Sequence, residues 1–204
     1  LLNQNELGVT MGTGNYARVT GDFNLKTGDD AAVRLNAMFN EADNGGNKID
    51  KYGIAPTFRW GIGTADEFTV GLYHLKYKNG INYGFSWLNG QISEAFEPDA
   101  YYGAASDYRA GGTTYGTATH VHRFDADHEL RTVARIGRYT RDQRASAIRF
   151  ANAAAQPGGV AVSAATIGPD TVLNRGSQNK IQDMDSIYVQ SDYSGKFGWF
   201  GMKH

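Results

Sequence analysis

Residues 51–60 read KYGIAPTFRW. Tyr52, Ile54, Pro56, Phe58 and Trp60 fall on one side of an extended chain; Lys51, Gly53, Ala55, Thr57 and Arg59 fall on the other. Period-2 alternation marks a strand with two unlike faces. Pro56 complicates the pattern, because proline has no N–H to give a central ladder. The stretch therefore predicts a strand with a local bulge, or with one missing ladder bond, between Ala55 and Thr57. What the apolar side faces, a protein core or lipid, decides the fold.

The alternation recurs with turn signals between. Leu7, Val9 and Met11 precede a turn at Gly14-Asn15. Ala17, Val19, Phe23 and Leu25 then stand opposite Arg18, Thr20, Asp22 and Asn24, up to the turn TGDD at 27–30. Val33, Leu35, Ala37 and Phe39 oppose Arg34, Asn36, Met38 and Asn40, and 43–50 reads as a polar loop. After GTAD (63–66), Phe68, Val70 and Leu72 alternate with Thr69, Gly71 and Tyr73. A long segment without a period runs from Asn79 to about Gly112. The stretches 113–124 and 129–142 follow, joined by DADH (125–128), with Arg131 and Arg135 opposite Leu130, Thr132, Ala134 and Ile136. A second long loop is expected over about 145–183, then a strand in SIYVQSDYS (186–194) and the start of another in KFGWFGMKH (196–204). The expectation is eight strands and the beginning of a ninth.

Composition agrees with strands and turns. The 204 residues include 26 Gly, 12 Tyr and 10 Phe but only 4 Pro, a balance that favours pleated strands over helices. A net charge of −1 advertises no basic surface for nucleic acid. Without cysteine there is no disulfide scaffold, thiol nucleophile or thiolate metal site. No run approaches the ~20 apolar residues of a membrane helix, but a barrel strand shows lipid only every second residue. The opening LLNQNELGVT has neither the basic nor the apolar region of a signal peptide, as expected of a stretch from within a longer chain.

Short connections alternate with longer ones, as periplasmic turns and extracellular loops do in an outer-membrane barrel. Arg18, Arg34, Arg59, Arg131 and Arg135 lie on the polar side, as a wet lumen would require. Phe39, Trp60 and Phe68 stand at strand ends, where interfacial aromatics belong. The pattern alone leaves a soluble antiparallel sandwich open.

Several segments, in order, resemble the TonB-dependent siderophore receptors of Gram-negative outer membranes, most of all the catecholate type. They are GTGNYARVTGDFN (12–24), AAVRLNAMFNEAD (31–43), KYGIAPTFRWGIGTADEFTV (51–70), NGINYGFSWL (79–88), YYGAASDY (101–108), HELRTVARIGRYTRD (128–142) and FGWFGMKH (197–204). The resemblance implies an all-β, antiparallel transmembrane barrel segment, about eight or nine strands of some 22, with the chain 1–204 forming part of one barrel domain. Signal peptide, plug and the remaining strands have no counterpart in it. Eight or nine strands of so wide a barrel cannot close by themselves.

The resemblance further implies a receptor in the outer membrane that takes up a ferric siderophore. Its energy comes from TonB, acting through a plug domain that is not in this chain. Lipid and lipopolysaccharide surround it, and iron is held only inside its siderophore, so no cofactor is expected. The alternatives are a passive porin-like or structural barrel, or a soluble carbohydrate-binding sandwich.

Nothing nominates a catalyst: no Gly-x-Ser-x-Gly elbow is present, and no enzyme is expected. The candidate ligand site is the aromatic loop, with Tyr83, Phe85, Trp87, Tyr101 and Tyr102 offering flat faces and hydroxyls. Arg109, Arg144 and Arg149 are loop cations able to attract an anionic complex, Arg109 and Arg149 foremost. Arg34, Arg59, Arg131 and Arg135 are expected to line the lumen. The bland account of the aromatics is that they pack the loop on itself and the rim. His120 and His122 stand at i, i+2 on one face of a strand, but two histidines without a third ligand do not make a metal site. None is therefore expected, and Asp125, Asp127 and His128 read as a turn.

Overall fold

The computed structural model describes residues 3–44, 47–84, 86–97, 100–199 and 202–203. Eight strands form one antiparallel sheet in chain order. They are β1 (Gln4–Gly12), β2 (Tyr16–Lys26), β3 (Ala32–Asn44), β4 (Asn47–Trp60), β5 (Asp66–Asn79), β6 (Tyr108–Arg123), β7 (His128–Phe150) and β8 (Leu173–Gly195). Each pairs only with its sequence neighbours. The expected ninth strand does not join them: β9 (Gly198–Trp199) pairs instead with β10 (Met202–Lys203) in a separate short ladder.

Register turns the alternation of single strands into two continuous surfaces. Val33, Phe58, Val70, Ala118, Ala134 and Val189 form one row across β3 to β8. The next row, Arg34, Thr57, Gly71, Thr117, Arg135 and Tyr188, projects from the opposite face. A slip of one residue in any pair would exchange the faces, so the pattern itself specifies the register.

Neither face is covered. Among the described residues the buried apolar side chains are small: Ala32, Ala42, Val133, Ala145 and Ala151. Phe23, Phe39, Ile54, Phe58, Val70, Leu72, Ile136 and Ile187 are all exposed. A sandwich needs a second sheet about 10 Å away to bury its inner face, and the described residues hold no such sheet. These residues therefore do not form a sandwich among themselves.

At Pro56 the ladder to β5 breaks. Ile54 pairs with His74 and Thr57 with Gly71, while Ala55 and Pro56 have no partners on that side. The register is the same before and after the gap, so there is no bulge; toward β3, Leu35↔Pro56 and Asn36↔Ala55 continue the ladder unbroken. Of the two outcomes foreseen, the missing ladder bond is the one that occurs.

Two loops are shorter than the sequence suggests. The strands flanking the polar stretch 43–50 pair through Asp43↔Lys48 to Asn44↔Asn47, a cross-strand placement of opposite charges that suits a hairpin. Likewise β7 and β8 stay paired from Ala145↔Gln178 to Phe150↔Leu173, well inside the expected loop 145–183. The alternation fades there because each face mixes apolar and polar residues, Ala147 and Arg149 on one and Ser146 and Ile148 on the other, while the backbone ladder continues regardless. Arg109, Arg144 and Arg149 consequently lie on strands and not in loops.

The sheet has two unlike ends. Connections 27–31, 61–65 and 124–127 are all short and share one end; the other end holds the long 80–107 and 151–172 together with the short β1–β2 and β3–β4 connections.

Candidate functional site

At the long-loop end β7 outruns β6. Their last pair is Tyr108↔Arg144, which leaves the edge of Ala145–Phe150 without a strand beside it. A bare edge exposes unpaired donors and acceptors, and the loop 80–107 covers it. The buried Asp107 carboxylate accepts hydrogen bonds from the Ser146 N–H (2.9 Å), Ser146 Oγ (3.0 Å), the Ala104 N–H (3.2 Å) and the Tyr101 hydroxyl (3.2 Å). Ser86 Oγ donates to the Ile148 carbonyl at 3.1 Å. A buried carboxylate is tolerable only with such donors, so Asp107 fixes where the loop returns to the sheet. Burial first, then the neighbouring Asp107 charge, push the Tyr101 hydroxyl above its ordinary value of 10.0 and keep it a donor.

This geometry divides the expected ligand residues. Tyr101 serves the Asp107 knot. Tyr102 accepts at its carbonyl from Arg175 Nε (2.7 Å), and its ring meets Phe96 edge-on at 5.2 Å. Phe96 in turn stacks 6.2 Å from Phe150. These aromatics tie the loop down. Trp87 does not, being 67% exposed, and Tyr83, 56% exposed, is held by its hydroxyl while its ring stays open. The Tyr83 hydroxyl accepts from Gln143 Nε2 at 3.0 Å, and Gln143 Oε1 accepts from Arg141 Nε at 3.2 Å. Phe85 lies outside the described residues.

Arg109, Arg141, Gln143 and Arg149 occupy positions of the polar face, on β6 and β7. The Arg109 guanidinium lies 5.9 Å from the centroid of the Tyr77 ring, and Arg149 is exposed with no ion pair among the described residues. The structure thus brings Tyr83, Arg109 and Arg141 together around Gln143, while Arg149 stands eight residues beyond Arg141 on β7, roughly 26 Å of extended strand away. Arg141 was legible as a continuation of the series Arg131, Arg135; Asp107 and Gln143 carried no signal.

Further along that face stand the four arginines expected in a lumen, each occupied. Arg34 grips Asp22 through Nε (2.9 Å) and Nη2 (2.5 Å). Arg59 Nε donates to Glu67 at 2.7 Å, and Arg123 reaches the same carboxylate at 3.3 Å. Arg131 lies 3.9 Å from Asp192. Arg135 rests 4.4 Å over Tyr115, which stacks on Tyr73 at 4.9 Å. These groups stiffen the wall through side-chain pairs of their own.

At the short-turn end, Asp125 accepts from the Asp127 N–H (2.8 Å) and from His128 Nδ1 (2.8 Å), the arrangement of an Asx-turn. The one three-ligand grouping for a metal among the described residues lies nearby, in Asp66, His120 and His122.

No family model matches the chain. It is similar to the catecholate siderophore receptor Fiu of Escherichia coli O157:H7, with 26% identity over 155 residues. That match covers 68% of this chain and 20% of the relative, so the chain spans about a fifth of the length of the curated relatives it matches. The closed form of the ferric-catecholate import receptor Fiu from E. coli K12 superposes with a TM-score of 0.83 at 22% identity, over 97% of this chain and 30% of that one. The siderophore receptor PiuA from Acinetobacter baumannii gives a TM-score of 0.78 at 22% identity, over 98% of this chain and 28% of that one. In sequence the chain is similar to catecholate siderophore receptors, and in fold it is a wall segment of their β-barrel.

Proposed function

We propose that this chain is part of the barrel wall of an outer-membrane receptor that takes up a ferric catecholate siderophore, energised by TonB through a plug carried elsewhere in the protein. The observation that carries this is the coreless, two-faced sheet, joined to its likeness in fold and sequence to receptors of that description. A sheet that buries no large apolar side chain among the described residues needs two different surroundings. Lipid suits the apolar face, and a watery lumen suits the face that carries the Arg34–Asp22, Arg59–Glu67 and Arg131–Asp192 pairs. From Tyr52 to Trp60 the apolar face of β4 spans roughly 27 Å of extended chain. At the usual strand tilt that becomes about 20 Å, near the ~25 Å apolar band of such barrels. The short-turn end then faces the periplasm and the long loops face outward.

In this arrangement the protein makes no bond to iron. A tris-catecholate complex is anionic and edged with flat rings, so Arg109, Arg141 and Arg149 attract it while Tyr83 and Trp87 offer stacking faces. The test is a fluorescence-quench titration of the full-length receptor with a ferric catecholate. Tyr83→Ala and Trp87→Ala each weaken binding several-fold, and Tyr102→Ala does so only by loosening the loop. Equal affinity in all variants would remove the loop from the site. No uptake of ferric catecholates by iron-starved cells expressing the receptor would remove the function.

A further inference from the structure

We infer that Asp66, His120 and His122 form a site for a divalent first-row metal ion of the zinc class, on the apolar-face side of the sheet at its short-turn end. Two histidines at i, i+2 are by themselves a weak signal, and the third ligand comes from the register. Asp66, more than fifty residues earlier in the chain, is the direct cross-strand partner of His122, while His120 pairs with Phe68. Asp66 Oδ1 lies 2.7 Å from His120 Nε2 and 2.7 Å from His122 Nδ1. All three ligand atoms fall within 4.8 Å of one another. Ligands held about 2.0–2.1 Å from a tetrahedral zinc lie roughly 3.4 Å apart, so an ion needs only a small opening of side chains that already converge.

The rings are also held in place. His120 stacks on Phe68 with centroids 4.4 Å apart and planes at 7°, and His122 meets the Phe124 edge at 4.6 Å. The β5–β6 ladder runs unbroken from Asp66↔His122 to Asn79↔Arg109. The donors therefore sit on rigid neighbouring strands and not on a loop, which lowers the ordering cost of binding. Two imidazoles and one carboxylate select against calcium and magnesium, which want oxygen, and favour zinc and its neighbours. The three side chains are partly exposed, so a fourth position stays open to water. With the ion in place each neutral ring keeps its single proton on the far nitrogen, Nδ1 of His120 and Nε2 of His122. The Asp66 carboxylate supplies the negative charge. The bound ion would clamp β5 to β6 beside the turn 61–65.

The test is a zinc titration by calorimetry on the full-length protein in detergent, without a histidine tag and after EDTA treatment, with cobalt absorption as the second readout. The expected result is one equivalent of zinc bound by the wild type with a tetrahedral cobalt spectrum. His120→Ala, His122→Ala and Asp66→Asn should each lose tenfold or more in affinity, while His74→Ala and His128→Ala change nothing. His120→Gln serves if an alanine variant fails to fold. A wild type that binds no zinc, or that binds it equally well in Asp66→Asn and His122→Ala, overturns the site and leaves Asp66 as a hydrogen-bond bracket alone.

Discussion

The two ends of this sheet solve the same problem differently. At the short-turn end neighbouring turns are stitched backbone to backbone. The Ile62 N–H donates to the Asp30 carbonyl (2.9 Å), the Arg123 N–H to Ala65 (2.7 Å) and the Lys196 N–H to Asp127 (3.2 Å). At the long-loop end the shorter connections are stitched in the same way, the Asp43 N–H to Gly14 and the Gly80 N–H to Lys48 (2.6 Å each). Strands outrun one another there, however, and each long loop is returned to the sheet by one buried polar side chain. Asp107 does this for 80–107. Gln156 does it for 151–172, donating from Nε2 to the Ala151 (3.0 Å) and Val172 (2.9 Å) carbonyls while Oε1 accepts from the Val172 N–H (2.9 Å). Stitched backbone tolerates many sequences, because the bonds belong to no side chain. Side-chain ties fix only the residues that make them and leave the loop positions between them free to vary, and that is the end where ligand chemistry is proposed.

The contrast can be broken from either side. Asp107→Ala removes a buried acceptor of four donors and should lower the local opening free energy at the loop's return by about 3 kcal/mol. Amide exchange at Ser146 and its neighbours would then quicken roughly a hundredfold, with 61–65 unaffected. Quickening spread evenly over both ends would mean that the knot is not local. Gly61→Ala attacks the other end. Gly61 has φ +69° and an added Cβ would meet the Asp66 carbonyl oxygen at 2.1 Å, so a loss of about 2 kcal/mol in global stability is expected, read from thermal unfolding in detergent. Gln156→Ala is milder, a neutral knot worth about 1 to 2 kcal/mol, and should expose 151–172 to protease while leaving 80–107 protected.

How far the sequence spoke follows the same division. Between Tyr52 and Trp60 every second residue betrays the pleat, because the two faces meet unlike surroundings and the register copies that difference from strand to strand. Beyond the apolar band the chemical contrast ends, so the paired stretches Ala145–Phe150 and Leu173–Asp183 look like loop although the ladder passes through them. The aromatic loop announced itself by composition, but not which rings pack and which stay free. That depended on Asp107, an ordinary aspartate until the bare edge of β7 is seen. Asp66 was hidden for a related reason. Its tie to His120 and His122 exists only in the register of β5 on β6, and no spacing along the chain encodes it.

The smallest effect expected lies in the turn 124–127, and it checks whether the short-turn end owes anything to side-chain charge. The Asp127 N–H, and after it the His128 ring, hold the Asp125 carboxyl below its ordinary value of 3.8. A carboxylate depressed in the folded state favours folding above the unfolded value and loses that contribution as pH falls through the folded one. Exchange at Asp127 and His128 should thus stay flat from neutral pH down to about pH 4 and quicken below it, after correction for intrinsic rates. Asp125→Asn keeps the acceptor without the titration, so its profile should lack the acid limb. The backbone stitch from Lys196 to Asp127 does not titrate, and the change should remain confined to this turn. An acid limb of equal size in Asp125→Asn would assign the effect to the sheet as a whole, and the end that looks held by backbone would prove to be held by its charges as well.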